Sequence, residues 1–201
     1  MTPPNASGWR AHLLLLGQFV RHPRHVGAIA PSSRALAEAM VRGLDFSGAA
    51  CIVELGPGTG AFTNAILPRL GRSGRLLAVE LERRFAERLR EQWPTLDCAC
   101  ASAALLPALV RERGIDQVNH ILSGLPFASL PVWETTQILD GIQETLRRGG
   151  TFTTFQYVHA YPLRPAVAFR HEVTRRMGSE PTRTLVMGNL PPAYVLRWTR
   201  A

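Results

Sequence analysis

Along this chain the spacing of apolar positions changes near residue 50. Before it, apolar residues recur at helical intervals; after it, short apolar runs alternate with longer amphipathic stretches. From about Gly8 to His22, Trp9, Leu13, Leu16 and Val20 fall on one helical face, widened by Leu15 and Phe19. Arg10, Gln18 and Arg21 share the opposite strip, which Leu14 interrupts. The spacing predicts an amphipathic helix stopped by Pro23. A linker with Arg24, Gly27 and Pro31 follows, and Ser32 or Ser33 is a candidate N-cap for a second helix ending near Gly43.

Beyond that point the pattern predicts strands over residues 50–55, 75–80, 96–99, 117–123, 151–157, 183–190 and 193–198. Between them it predicts helices over 61–70, 82–93, 103–113, 132–146 and 165–176. Pro94 closes one helix, and Pro191–Pro192 separates the last two strands. Such alternation argues for an α/β domain with a mostly parallel sheet. The organisation expected is N-terminal helices over 1–45, followed by the sheet domain over 46–201.

Composition narrows the class. A chain of 201 residues with 46% hydrophobic residues suits one domain with a full core and argues against disorder. The longest purely aliphatic run, Leu13–Leu16, is far short of the roughly 20 apolar residues that a membrane span needs. No small-residue cleavage site follows it, which argues against a secretory signal. Three cysteines, Cys51, Cys98 and Cys100, show no zinc spacing, and no metal is expected. A reducing cytosol is the natural setting. All 23 basic residues are arginine, and the excess is uneven. Residues 1–37 and 160–201 are strongly positive, whereas 38–159 is close to neutral.

The most specific signal is Val-Glu-Leu-Gly-Pro-Gly-Thr-Gly at 53–60, joining a predicted strand to a predicted helix. Its glycines permit positive φ and close backbone approach, beside the free amide donors of a helix start. The spacing is G-x-G-x-G, unlike the dinucleotide fingerprint, and the Lys-Ser/Thr of a phosphate loop is missing. Glu54 stands just before the glycines. Glu80 ends the next strand, where a carboxylate can accept both hydroxyls of a ribose. A second motif, Ser123-Gly124-Leu125-Pro126-Phe127, follows the fourth strand at the carboxyl edge, where open sheets bind ligands.

These residues resemble the class I S-adenosylmethionine-dependent methyltransferases, whose fold is a Rossmann-like, seven-stranded, mostly parallel sheet with helices on both faces. The resemblance implies cofactor contacts from Glu54, Gly56, Pro57, Gly58, Thr59, Gly60 and Thr63, from Glu80 and Leu81, and from Ser123 and Gly124. An acid often contacts adenine after the third strand; here Ser102–Ala103 stands there, and Ser102 also reads as an N-cap. The 123–127 loop resembles the Asn/Asp/Ser-x-Pro-aromatic loop of amino-group methyltransferases. That likeness implies that Ser123, Leu125 and Phe127 orient the target nitrogen, with the ring stabilising positive charge.

More narrowly, the chain resembles the bacterial phospholipid N-methyltransferases. The likeness rests on the N-terminal helix with Val-Gly-Ala-Ile-Ala-Pro-Ser-Ser at 26–33, the glycine loop, Ser-Gly-Leu-Pro-Phe, and Asn-Leu-Pro-Pro-Ala at 189–193. It implies N-methylation of the phosphatidylethanolamine headgroup towards phosphatidylcholine, with S-adenosylhomocysteine as by-product. It also implies a cytoplasmic protein held peripherally at the inner face of the membrane. Trp9, Arg10, Leu13, Leu16, Phe19, Arg21, Arg24 and Ser32 would then meet an anionic bilayer or the substrate. The same apolar arc is also wide enough to rest on the sheet. A more distant likeness is to the ribosomal RNA adenine dimethylases, whose Phe-x-Tyr-Gly appears here as Phe155-Gln156-Tyr157-Val158. It makes Tyr157 a candidate hydroxyl near the headgroup nitrogen or phosphate; His159, two residues beyond it, is a candidate base for the amine. Basic ends also suit an RNA backbone, so an RNA adenine N6-methyltransferase is the alternative, as is a membrane-binding module without turnover. The reading expects no nucleic acid and no obligate protein partner.

Overall fold

Val, Ile and Leu concentrate in the runs spaced as strands, and those runs pair into one sheet. The computed structural model describes residues 32–48 and 50–201. The stretch over 8–22 and the candidate membrane residues Trp9, Arg10, Leu13, Leu16, Phe19, Arg21 and Arg24 lie outside the described residues. The strands are β1 (Cys51–Leu55), β2 (Arg75–Glu80), β3 (Asp97–Cys100), β4 (Val118–Ser123), β5 (Leu146–Tyr157), β6 (Thr182–Val186) and β7 (Ala193–Thr199). They lie in the order β3-β2-β1-β4-β5-β7-β6. Strands β1 to β5 are mutually parallel, and β7 is antiparallel to both its neighbours. Strand β6 therefore points the same way as β1–β5. All six carboxyl ends open on one rim, and the order reverses between β1 and β4. Loops leaving those two strands diverge to opposite faces and leave a crevice.

Helices cover both faces. On one side lie α1 (Arg34–Val41), α2 (Ala61–Ile66) and α3 (Arg83–Gln92); on the other lie α4 (Leu106–Glu112), α5 (Val132–Thr145) and α6 (Arg164–Met177). The period of two along β1 shows why both faces fill. Val53 and Leu55 join Leu106, Ile138 and Phe169, while Ile52 joins Leu36, Met40, Phe62 and Leu89. Every residue of β1 is buried. Helix α1 starts at its cap, Ser33, whose hydroxyl accepts from the Leu36 amide at 3.1 Å.

Four boundaries differ from the spacing-based expectation, each for a local reason. Pro68 cannot donate into an α-helical ladder, so α2 gives way to a 3-10 turn at Leu67–Arg69. Pro107 likewise opens α4, after a 3-10 turn at Ala103–Leu105. Strand β5 begins at Leu146, five residues earlier than the spacing indicates, and shifts register between its Val118 and His120 pairings. Gly149, at φ +72°, and Gly150 allow that shift; a Cβ on Gly150 would stand 2.8 Å from the Arg147 carbonyl oxygen. Strand β6 ends at Val186 because the chain turns to bury Asn189. Asn189 Oδ1 accepts from the Ser33 amide at 3.0 Å, and its Nδ2 donates to the Pro191 carbonyl at 2.7 Å.

Much of the basic excess of the C-terminal segment is consumed inside the fold. Arg197 donates to Thr153 Oγ1 at 3.0 Å and to the Met40 and Arg42 carbonyls at 2.9 and 2.6 Å, capping the end of α1. Arg176 bridges Glu172 and Asp140, and Arg200 donates to the Leu146 carbonyl. Among the described residues no helix is long and apolar enough to cross a membrane.

Candidate active site

Between β1 and α2 the backbone takes left-handed values at Gly56 (φ +70°), Gly58 (+56°) and Gly60 (+82°). L-residues with side chains rarely adopt that region, so the turn requires glycine. Close approach adds a second demand at the switch point. A Cβ on Gly56 would stand 2.7 Å from Leu125 Cδ2, and one on Gly124 would stand 2.7 Å from the Gly56 carbonyl oxygen. The loops leaving β1 and β4 thus touch through their glycines. At Gly58 a Cβ would meet nothing within 4 Å, because that residue faces open space.

That space is a cavity of about 470 Å³ at the carboxyl ends of β1, β2 and β4. Of the residues singled out in the sequence, Gly56, Gly58, Glu80, Leu81, Ser102, Ala103, Gly124 and Leu125 line it. Glu54, Pro57, Thr59, Gly60, Thr63 and Ser123 do not; all but the exposed Thr59 are buried behind its walls. Thr63 Oγ1 donates to Glu54 Oε2 at 2.6 Å, wholly buried. Ser123 Oγ accepts from the Leu125 amide at 3.2 Å and its carbonyl accepts from Thr154 Oγ1, so this side chain holds the turn. Ser102 both caps the following turn, accepting from the Ala104 amide at 3.2 Å, and faces the cavity.

Two aromatic candidates lie elsewhere. Phe127 turns into the core, stacked on Phe169 at 4.5 Å and edge-on to Phe152. Tyr157 ends β5 on the opposite face of the sheet, against Phe155, and its ring stacks on His159 at 5.7 Å. Burial pushes the Tyr157 phenol up to about 12. Neither ring lines the cavity.

Electrostatically the site is built on two buried acids. Glu80 Oε2 accepts from the Gly58 amide and Oε1 from the Glu82 amide, each at 2.9 Å. Burial raises its pKa against the lowering effect of those amides. Glu54 is wholly buried; its pKa is raised to about 7, chiefly by burial, opposed by Thr63 and reinforced by Glu80. Its Oε1 has no hydrogen-bond partner among the described residues.

The donor set fits S-adenosylmethionine. A carboxylate fixed by two amides offers its remaining lone pairs to a ribose. Around it Val79, Leu81, Ala101 and Ala103 form one apolar wall, and Leu125, Leu130 and Ile138 another, suited to a purine. Sequence reasoning missed Leu130, Glu134 and Ile138, and also Arg84, Phe85 and Arg88 at the start of α3. The one signal available was position, since α3 starts directly after Glu80 and α5 directly after the 123–131 loop.

No family model matches the chain. An ornithine lipid N-methyltransferase of Singulisphaera acidiphila is 32% identical to it over 183 residues, covering 90% of this chain and 91% of that protein. Among solved structures, the N-methyltransferase NodS of Bradyrhizobium japonicum matches 83% of this chain and 95% of its own, at TM-score 0.63 and 15% identity. The O-methyltransferase TomG of Streptomyces achromogenes, solved with S-adenosylmethionine, matches 94% of this chain and 89% of its own at TM-score 0.62 and 18% identity. The two structures share the fold, and the first relative shares sequence across nearly the whole length. The chain therefore belongs to the family of the ornithine lipid N-methyltransferases, within the S-adenosylmethionine-dependent class I methyltransferases.

Proposed function

We propose that this protein methylates the primary amine of a membrane aminolipid headgroup, with phosphatidylethanolamine as the phospholipid form of that acceptor. The observation that carries the reading is the cavity at the β1/β4 switch point, floored by Glu80 and walled by Gly124, Leu125 and Pro126. It occurs in a chain whose relative, by name, methylates ornithine lipid. Phosphatidylethanolamine and ornithine lipid present the same chemistry, a primary amine on a headgroup.

Bound in the cavity, S-adenosylmethionine supplies a methyl on a positively charged sulfur, open to direct displacement. The chain's own residues bind and orient. Glu80 holds the ribose, Ser102 Oγ and the apolar walls hold the adenine, and the glycine loop holds the methionine part. The acceptor amine lies against the 124–126 turn, where carbonyl oxygens point its lone pair in line. Leu125 and Leu130 exclude water from the line of attack. The N-terminal segment, residues 1–45, serves as the membrane or substrate lid, and the protein works at the inner surface of the membrane.

The test offers methyl-labelled cofactor to vesicles containing phosphatidylethanolamine, to vesicles containing ornithine lipid, and to ribosomal RNA. Label in either lipid supports the reading, and the arm labelled faster names the headgroup. Label confined to RNA overturns it.

A further inference from the structure

Seven large apolar side chains stand exposed among the described residues, and all seven sit at the carboxyl-end rim of the sheet. Leu105 follows β3; Val132 and Trp133 follow β4; Leu163 follows β5; Leu185, Met187 and Leu190 close β6 or follow it. Five of the seven are Val132 (83%), Leu190 (79%), Met187 (69%), Leu163 (56%) and Trp133 (54%); Leu105 (54%) stands apart, after β3. Those five belong to three rim segments, residues 124–133, 158–164 and 187–193, on the half of the rim over β4, β5, β7 and β6. Those segments contain no acid, and Arg164 is their one arginine.

The amino-end rim is built the opposite way. Its loops and the start of β5 carry Asp45, Arg72, Arg113, Asp116, Arg147 and Arg148, and none of the exposed large apolar residues. Scattered exposed apolar residues are ordinary on a protein surface; their confinement to one rim is not. The cavity opens on that same rim. Leu125, Pro126 and Leu130 line it from the inside of the segment that presents Val132 and Trp133 outside.

We propose that this rim docks on the bilayer, so that the sheet stands with its strand ends toward the lipid and the cavity mouth opens against the headgroups. The proposal rests on the aminolipid reading of the site. Aliphatic tips and a tryptophan carried on separate loops suit the interfacial boundary of a membrane. The absence of acids in the three segments, with exposed Arg164 and Arg34 beside them, suits an anionic surface. Arg34 belongs to this rim because Asn189 fastens the start of α1 to the loop after β6. An amine anchored in the bilayer then reaches the cavity without its acyl chains leaving the membrane.

The experiment compares the full chain with a quadruple variant, Trp133→Ser, Leu163→Ser, Met187→Ser and Leu190→Ser. It measures co-sedimentation with vesicles of phosphatidylethanolamine and phosphatidylglycerol. It also measures methyl transfer to those vesicles and to dihexanoyl-phosphatidylethanolamine dissolved as monomers. Vesicle binding and vesicle turnover are expected to fall about tenfold or more, with turnover of the dissolved lipid retained. Vesicle binding equal to wild type overturns the proposal, whether turnover survives or not. So does complete loss of vesicle binding on removing residues 1–31 when the quadruple variant binds normally, since the N-terminal stretch would then be the membrane contact. If the quadruple variant does not fold, Trp133→Ser and Arg164→Glu, both at exposed positions, are each expected to weaken vesicle binding about threefold. Wild-type protein that binds vesicles through these residues yet methylates neither lipid refutes the functional reading and leaves the docking surface standing.

Discussion

The two ends of the sheet are made of the same strands and do opposite work. At the amino end most buried polar groups are matched, with Arg147 Nε the exception among the described residues. His120 places Nδ1 2.8 Å from Thr151 Oγ1 and Nε2 3.0 Å from the Asp45 carbonyl oxygen. Asn119 Oδ1 accepts from the Cys51 amide at 2.8 Å, and Arg113 binds both carboxylate oxygens of Asp97. At the carboxyl end, two acids are buried close to one another, one of them with an unmatched oxygen, and three left-handed glycines carry the turn above them. Satisfied polar groups stabilise one end; costly, poised groups at the other are what a binding site needs.

If that contrast is right, the largest effect of a single substitution comes from Glu80→Ala. Two charge-assisted bonds to a ribose are worth about 4 kcal/mol, so cofactor affinity by calorimetry should fall near a thousandfold, with the circular dichroism spectrum unchanged. Unchanged affinity would move the ribose elsewhere. Next comes Glu54, whose folded pKa of about 7 lies above its ordinary 4.5. A raised acid favours the folded state fully below its unfolded pKa and loses that contribution as pH climbs through the folded value. The difference corresponds to about 3 kcal/mol. Urea unfolding should show stability declining over that window in wild type and staying flatter in Glu54→Gln. The buried His120, with its pKa lowered mainly by burial, tilts the other way and loses stability as pH falls.

Gly124→Ala probes the contact between the two loops. Its Cβ meets backbone, the Gly56 carbonyl oxygen at 2.7 Å, which cannot swing aside. A cost of about 2 kcal/mol is expected, read as a lower melting temperature and slower methyl transfer together. The smallest effect belongs to the other end. Arg72→Ser combined with Arg148→Ser should change stability by less than about 0.5 kcal/mol and leave vesicle turnover within about twofold. A collapse of vesicle binding in that variant would invert the comparison of the two rims.

The parts of this arrangement that were legible in the sequence are those written in neighbouring residues. A strand, three alternating glycines and a helix start define the 53–60 turn locally, and Glu80 is found by its place at the end of the next strand. Ser102 was legible as an N-cap for the same reason. Phe127 was not, because its ring answers to Phe169, far away in α6, and packing there outweighs the motif's usual disposition. The early start of β5 was hidden by Gly149–Gly150, which interrupt the apolar run and are held in the sheet by backbone bonds to Arg200. Arg84, Arg88, Leu130 and Ile138 became site residues only through the angle at which α3 and α5 leave the rim. The arginines of the C-terminal segment were legible only as a charge. Their charge is visible in sequence, but that Arg197 spends it on the carbonyls of α1 is a property of the assembled fold.

Asn189 gives the chain a mechanical consequence. One buried amide bonds the cap residue of α1 and the loop before β7 at once, tying those two segments together. Displacing the start of α1 would therefore strain the turn that carries Leu190 and Pro191. Whatever holds the beginning of the polypeptide also has a handle on the last hairpin, some 150 residues later in the chain, and through it on the attitude of the catalytic rim.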